Sequence, residues 1–256
     1  MPHVKIFGER NTGTNVLHRL IENNSECRLA PGIAFQLDDT LVNDLHAIVK
    51  TRNKNPKLIA HEYESRIDQV FENQPAINMW KHAATDFQDI RSLKNTKVIF
   101  CVRHPMSWIV SFHKRPYNKK LVAPSSLEAF SKIWVPLLRR DNLNYNSLRP
   151  LELYSRKLKS YLDFARQLDG IHVPNKFIKH EDITIKQESV IQELSSWLNF
   201  KTRNPYNAST KDPSKNRAFY KSYYENELWK EPIEGSWSAL GNELDKALFE
   251  KLEYQV

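Results

Sequence analysis

Only six glycines and two cysteines occur among 256 residues, too few for a fold built on repetition or cross-linking. With glycine scarce and no repeated segment visible, a solenoid or propeller is disfavoured. Cys27 and Cys101 cannot form a disulfide framework and lack metal-site spacing. Cys101 lies inside an apolar run, where a buried, reduced thiol is expected, and this points to a reducing cytoplasm. Long apolar runs are missing as well. Val98-Ile99-Phe100-Cys101-Val102 is among the longest, far below the roughly 18 residues that cross a bilayer. Strand-like sequence begins at Val4, which leaves no place for the charged end and apolar stretch of a secretory signal. The expectation is a cytoplasmic protein without a membrane span.

What is present is a basic chain with a moderate apolar content. Thirty-eight Lys and Arg against 30 Asp and Glu give a net charge of +8, and 40% of residues are hydrophobic. That content can bury one sizeable core. The charge suits an anionic ligand, an acidic polymer or nucleic acid, and it equally serves solubility alone.

Periodicity gives an alternation of strands and helices. Val4 to Phe7 reads as a strand, Gly8 to Gly13 as a loop, and Thr14 to Ile21 as a helix. A helix follows over residues 39–52, with short strands at Leu58 to Ala60 and Ile77 to Trp80 and a helix over Thr85 to Leu93. Lys97 to Val102 carries the strongest buried-strand pattern, and Pro105 then opens a helix over Met106 to His113. Ser125 to Arg140 and Leu151 to Leu168 read as amphipathic helices, Asn175 to Lys179 as a strand, Gln187 to Leu198 as a helix, Thr202 to Asn216 as a loop, and Ala239 to Tyr254 as a closing helix. Such alternation predicts a three-layer α/β/α fold around a mainly parallel sheet. No linker divides the chain, so a single domain over residues 1–256 is expected.

The first loop, Gly8-Glu9-Arg10-Asn11-Thr12-Gly13-Thr14-Asn15, offers the parts of a phosphate cradle. A strand-to-helix turn presents unpaired N–H groups and the positive end of a helix dipole. Gly13 lets the backbone approach an anion, Thr12, Thr14 and Asn15 add side-chain donors, and Arg10 adds charge. No Gly-Lys-Ser/Thr follows, which speaks against nucleoside-triphosphate chemistry. An ordinary capped turn would also satisfy these residues.

Arg103-His104-Pro105 directly follows the central strand, and Ser111 comes eight residues after Arg103. Open α/β sheets bind ligands beyond the carboxyl ends of their strands. An arginine there presents a bidentate fork to phosphate, with a serine hydroxyl beside it.

Together these residues resemble the sulfotransferases that use 3′-phosphoadenosine 5′-phosphosulfate (PAPS). In that family an Arg ends a strand and a Ser follows eight residues later, and both hold the 3′-phosphate; the resemblance assigns these roles to Arg103 and Ser111. Gly8 to Asn15 resembles the family's 5′-phosphosulfate loop, which implies that Arg10, Asn11, Thr12, Gly13, Thr14 and Asn15 hold the donor. Phe177-Ile178-Lys179-His180-Glu181-Asp182-Ile183 is similar to the family's strand ending in Tyr-Glu-Asp-Leu, with His180 on the adenine side, and Trp197-Leu198 ends the helix that follows. The three elements span residues 4–200. The chain departs from the pattern at Asn11, where a basic residue is usual and Arg10 stands one place earlier, and at His180, where a Tyr is common. The resemblance implies a P-loop-like sulfotransferase architecture, PAPS as donor, adenosine 3′,5′-bisphosphate as product, and no metal.

Sulfuryl transfer needs a base for the acceptor proton, and His82 is the first candidate. Met79-Trp80-Lys81-His82 is similar to the family's Lys-Thr-His strand end, and His82 lies 21 residues before Arg103. Lys81 or Arg10 would support the bridging or sulfuryl oxygens. Glu62 and Glu9 are rival bases, because some relatives use a glutamate. Lys215 and Arg217, near the end of the polar loop with Lys211, are candidates to close over the nucleotide. The run His113 to Lys120 suits an anionic acceptor such as a glycan, although a solvated helix end is its commoner role. The acceptor is expected to bear a hydroxyl or an amine, and no nucleic acid is expected. Two alternatives stay open: a P-loop-related nucleotide kinase, and a non-catalytic nucleotide- or nucleic-acid-binding protein.

Overall fold

The computed structural model describes residues 3–51, 55–116, 124, 126–203 and 217–255. Its centre is the apolar run of β3, Thr96–Val102, whose side chains are buried on both faces. β1, His3–Phe7, lies parallel on one side of β3, pairing His3 with Thr96 through Phe7 with Phe100. β2, Arg28–Leu29, adds to the outer edge of β1, and β6, Asn175–Lys179, pairs with the far side of β3. The order β2-β1-β3-β6 is parallel throughout. Strands buried on two faces read as continuous apolar sequence, which is why β1 and β3 were legible.

Alternate side chains of β3 point to opposite layers. Ile99 and Cys101 join Leu17, Leu20 and Ile21 of α1, Thr14–Asn24, and Val190, Ile191, Leu194 and Leu198 of a later helix, Gln187–Leu198. Val98, Phe100 and Val102 face the other layer, with Trp108 of the helix Pro105–Lys114 and Tyr154, Tyr161 and Phe164 of the helix Pro150–Gly170. The architecture is three-layer α/β with a parallel central sheet. In chain order the remaining elements are α2 (Leu41–Thr51), α3 (Pro56–Val70), α4 (Pro105–Lys114), α5 (Leu127–Ser131), β4 (Val135–Pro136), β5 (Ser147–Leu148), α6 (Pro150–Gly170), α7 (His180–Ile185), α8 (Gln187–Leu198), α9 (Arg217–Glu225), α10 (Trp237–Gly241) and α11 (Lys246–Glu250). β4 and β5 form a separate antiparallel pair.

The structure corrects five of the expected elements. Leu58 to Ala60 lie inside α3, which begins at Pro56 because the Asn55 side chain accepts from the N–H groups of Lys57 and Leu58. Residues 77–80 form no strand; a tight turn over Ala76–Asn78 leads into an irregular stretch. Residues 85–93 contain only one short turn, Ile90–Leu93. The helix expected over 125–140 ends at Ser131, and the chain then pairs as β4. Ala239 to Tyr254 divides into α10 and α11, the second capped by Asp245. Most of the expected loop, residues 204–216, lies outside the described residues.

From β1 the chain passes to β2 on one side and later to β3 on the other. The carboxyl ends of β1 and β3 therefore flank a topological switch point, where doubly wound sheets bind their ligands.

Candidate active site

The loop after β1 is held in a tight, specific shape. Glu9 O accepts from both the N–H and the hydroxyl of Thr12, at 3.2 and 2.6 Å. Asn11 adopts φ 67° and Gly13 φ 89°, left-handed values that favour these two residue types. α1 starts at Gly13 without a side-chain cap, so its first amides are not satisfied by a side chain. Gly13 is required for a second reason. A Cβ there would stand 2.6 Å from Nδ1 of His180, the first residue of α7.

Arg103, at the end of β3, is buried and fixed from several sides. Its Nε donates to the Ser107 hydroxyl at 2.9 Å, its Nη1 donates to Asn11 O at 2.8 Å, and its guanidinium lies 5.8 Å from the Tyr224 ring. The Tyr154 hydroxyl accepts from the Arg103 N–H and donates to the Arg103 carbonyl, at 2.8 and 2.6 Å. Trp108 stacks on Tyr154 and donates its indole N–H to Arg10 O at 2.8 Å. The arginine, α4 and the loop after β1 thus form one connected unit. Ser107, in the first turn of α4, takes the direct bond. Ser111 stands one turn farther along α4, half-buried. Ser107 and Tyr224 were not anticipated; the position of Ser107 in the first helical turn after Pro105 was the available signal for the first.

Two polar atoms beside this arginine are buried and have no hydrogen-bond partner among the described residues: Asn11 Nδ2 and His180 Nδ1. Burying a polar atom without a partner costs free energy, so such atoms mark places where a ligand can supply one. His180 packs edge-on against Tyr224, and burial together with the nearby Arg103 charge pushes its pKa well down. It is neutral at pH 7.

The residues 80–82 run along the other side of the loop. Gly8 N–H donates to Lys81 O at 2.9 Å, and His82 Nδ1 lies 2.6 Å from Gly8 O. A carbonyl only accepts, so Nδ1 carries the proton and Nε2 is the lone-pair nitrogen. Burial, then the Arg10 and Lys81 charges, push the His82 pKa well below its ordinary value. Lys81 donates to Asn15 Oδ1 at 2.6 Å, and its own pKa is lowered by burial. Buried Lys5 donates to Met79 O at 2.6 Å and to Pro31 O, anchoring the approach to Trp80. Arg10 stacks 4.6 Å over the Trp80 ring, which itself meets His82 edge-on. The left-handed turn at Asn11 accompanies this inward aim of Arg10, one place earlier than the basic residue expected from the sequence pattern.

The other expected site residues fall as follows. The Thr12 hydroxyl is committed to Glu9 O, and Thr14 is buried in the first turn of α1. Glu9 is fully buried in an ion pair with Lys157 rather than open to an acceptor. Glu62 lies on α3, a helix rather than a strand end. Lys211 and Lys215 lie outside the described residues, and Arg217 opens α9 with its side chain outside them. Of the basic run, His113 donates through Nε2 to Pro124 O and packs on Phe130, while residues 117–120 lie outside the described residues. No group of His, Cys, Asp and Glu among the described residues is arranged to hold a metal ion, and no described helix is long and apolar enough to cross a membrane.

No family model and no curated protein matches the chain. Among solved structures, it is similar to the sulfotransferase domain from a Synechococcus olefin synthase, with 14% identity and a TM-score of 0.49, over 100% of this chain and 96% of that one. It is also similar to the sulfotransferase domain from the curacin biosynthetic pathway, with 16% identity and a TM-score of 0.40, over 87% and 83% of the two chains.

Proposed function

We propose that this chain transfers a sulfuryl group from PAPS to a hydroxyl or amine, with His82 as the base. The observation that carries this reading is that the residues following β1, β3 and β6 meet at Arg103: its guanidinium donates to Asn11 O and faces the Tyr224 ring on which His180 packs, and Asn11 Nδ2 and His180 Nδ1 are buried with no partner among the described residues. A phosphate would meet a charged fork and a second donor at Asn11 there. The amides of Gly13 and the first turn of α1 would meet a second phosphate. Two anion sites on one ligand fit a nucleotide phosphorylated at both its 3′ and 5′ positions.

The transfer is an in-line displacement. The acceptor oxygen or nitrogen forms a bond to sulfur, the bond from sulfur to the bridging phosphate oxygen breaks, and that oxygen leaves with the electron pair as adenosine 3′,5′-bisphosphate. The acceptor proton passes to His82 Nε2. Arg10 and Lys81 stabilise the charge that gathers on the bridging and sulfuryl oxygens.

Thermal unfolding with nucleotides tests the reading. Adenosine 3′,5′-bisphosphate at 100 times its Kd should stabilise the protein by about 2.7 kcal/mol, and AMP or ATP at the same concentration by much less. Equal stabilisation by AMP would remove the 3′-phosphate site. Labelled PAPS offered with a panel of saccharides, phenols, amines and lipids then identifies the acceptor.

A further inference from the structure

Lys157 lies on the buried stripe of α6, between Tyr154 and Tyr161, and is fully buried. Its Nζ stands 2.5 Å from Glu9 Oε2, 2.5 Å from Asp141 Oδ1 and 2.7 Å from His82 O. The three partners come from three separate stretches of chain. Each carboxylate also holds main chain: Glu9 Oε1 accepts from the Arg10 N–H and Asp141 Oδ2 from the Leu138 N–H, both at 2.8 Å. Asp141 O accepts from the Ala84 N–H at 2.8 Å. The same ammonium lies 5.4 Å from the Trp80 ring, on which Arg10 stacks.

A buried cation with two carboxylates is an expensive way to fill a core. Apolar side chains of similar volume are commonly as stabilising or more so. What the triad adds is geometry, since Lys157 touches both the phosphate-loop residue Glu9 and the main chain of His82. Lys157, Glu9 and Asp141 are all buried away from solvent.

We infer that Lys157, Glu9 and Asp141 form a positioning unit that fixes the distance between the phosphate loop and the His82 base. The inference rests on the reading of His82 and the loop given above. Its consequence is that the loop and the base keep their register only while the Lys157 ammonium holds both carboxylates and the His82 carbonyl oxygen.

The test compares wild type with the charge-neutral triple variant Glu9→Gln, Asp141→Asn, Lys157→Met, and with Lys157→Arg, which keeps the charge but not the reach. Folding is followed by circular dichroism, loop order by hydrogen exchange at residues 9–12, and function by kcat, KM and the Kd of adenosine 3′,5′-bisphosphate. The triple variant should fold, exchange its loop amides about tenfold faster or more, and lose about 100-fold in kcat. Its Kd should weaken by no more than about tenfold, the cost of reordering the loop, so that kcat falls further than affinity. Lys157→Arg should lower kcat in the same direction with the fold intact. The split between kcat and Kd separates a positioning role from a general loosening, which would weaken both together. Wild-type kcat and wild-type loop exchange in the triple variant would overturn the inference. If instead the triple variant does not fold, wild-type exchange and kcat in Lys157→Arg would overturn it. If the wild-type protein transfers no sulfuryl group from PAPS, the proposed function fails, while the exchange comparison still decides whether the triad orders the loop.

Discussion

Arg103 Nη1 donates to the main-chain oxygen of Asn11 at 2.8 Å, tying the end of β3 to the loop that leaves β1. With Nε held by Ser107, the guanidinium is fixed in orientation before any ligand arrives. Lys at this position keeps the charge but cannot make both bonds and still offer a planar fork. Arg103→Lys is therefore expected to reduce the thermal shift given by adenosine 3′,5′-bisphosphate to the level given by AMP. For a protein of this size the lost shift is about 5–10 °C at saturating ligand. An undiminished preference for the bisphosphate in Arg103→Lys would refute the assignment of this arginine.

Gly13 offers a sharper structural test. Its φ of 89° and the 2.6 Å approach of His180 Nδ1 to a built Cβ act together. The left-handed backbone alone costs a non-glycine residue about 1–2 kcal/mol, and the displaced His180 adds to that. Gly13→Ala should lower the urea midpoint and abolish nucleotide binding. Gly170→Ala is the control, because a Cβ there meets nothing within 4 Å. It should be neutral or gain about 0.4–1 kcal/mol. A Gly13→Ala protein as stable as Gly170→Ala would contradict the close approach.

The parts of this site that could be read from sequence share one property: they follow buried parallel strands. Val98 to Val102 announces β3 and so places Arg103, and Val4 to Phe7 places the loop at Gly8 in the same way. Leu58 to Ala60 misled because three apolar residues do not separate a strand from a helical turn, while the Asn55-Pro56 cap signal carried the answer. Lys157 was invisible for a different reason. A lysine on an otherwise apolar helical stripe invites a solvated reading, and its partners Glu9 and Asp141 lie far away in sequence. Tyr224 sits on α9 beyond the polar loop, and no local pattern links it to Arg103.

Stability should depend on pH through His104. Its Nε2 donates to Gln255 O, its Nδ1 accepts from the Met106 N–H, and burial lowers its pKa to about 4, with the Lys230 and Arg103 charges adding to the effect. A depressed histidine pKa means the unfolded chain binds the proton more tightly. Stability is then full above the unfolded value of about 6.5 and is lost as pH falls toward 4, by about 3 kcal/mol for this residue. Asn at this position can still cap α4 but does not titrate. His104→Asn should therefore show a flatter fall in urea midpoint between pH 6.5 and 4 than wild type. An equally steep fall in the variant would show that His104 does not carry this dependence, and would leave it to His82 and His180, which are depressed in the same direction.

His82 allows the base to be tested by its titration as well as by its removal. Its pKa is held down by burial and by the charges of Arg10, Lys81 and Lys157, and partly restored by the bond to Gly8 O. The neutral, proton-accepting form therefore persists to lower pH than in a free histidine. The acid limb of kcat/KM should lie below the ordinary value of about 6.5. Lys81→Gln removes one of the cations and should move that limb upward, whatever it does to the maximal rate. His82→Ala should lower kcat by about 10²–10⁴ with the fold intact, and should erase the limb altogether. Retention of the limb in His82→Ala would assign the proton transfer to another group, and an unmoved limb in Lys81→Gln would show that His82 does not feel the charge that Lys81 holds against Asn15.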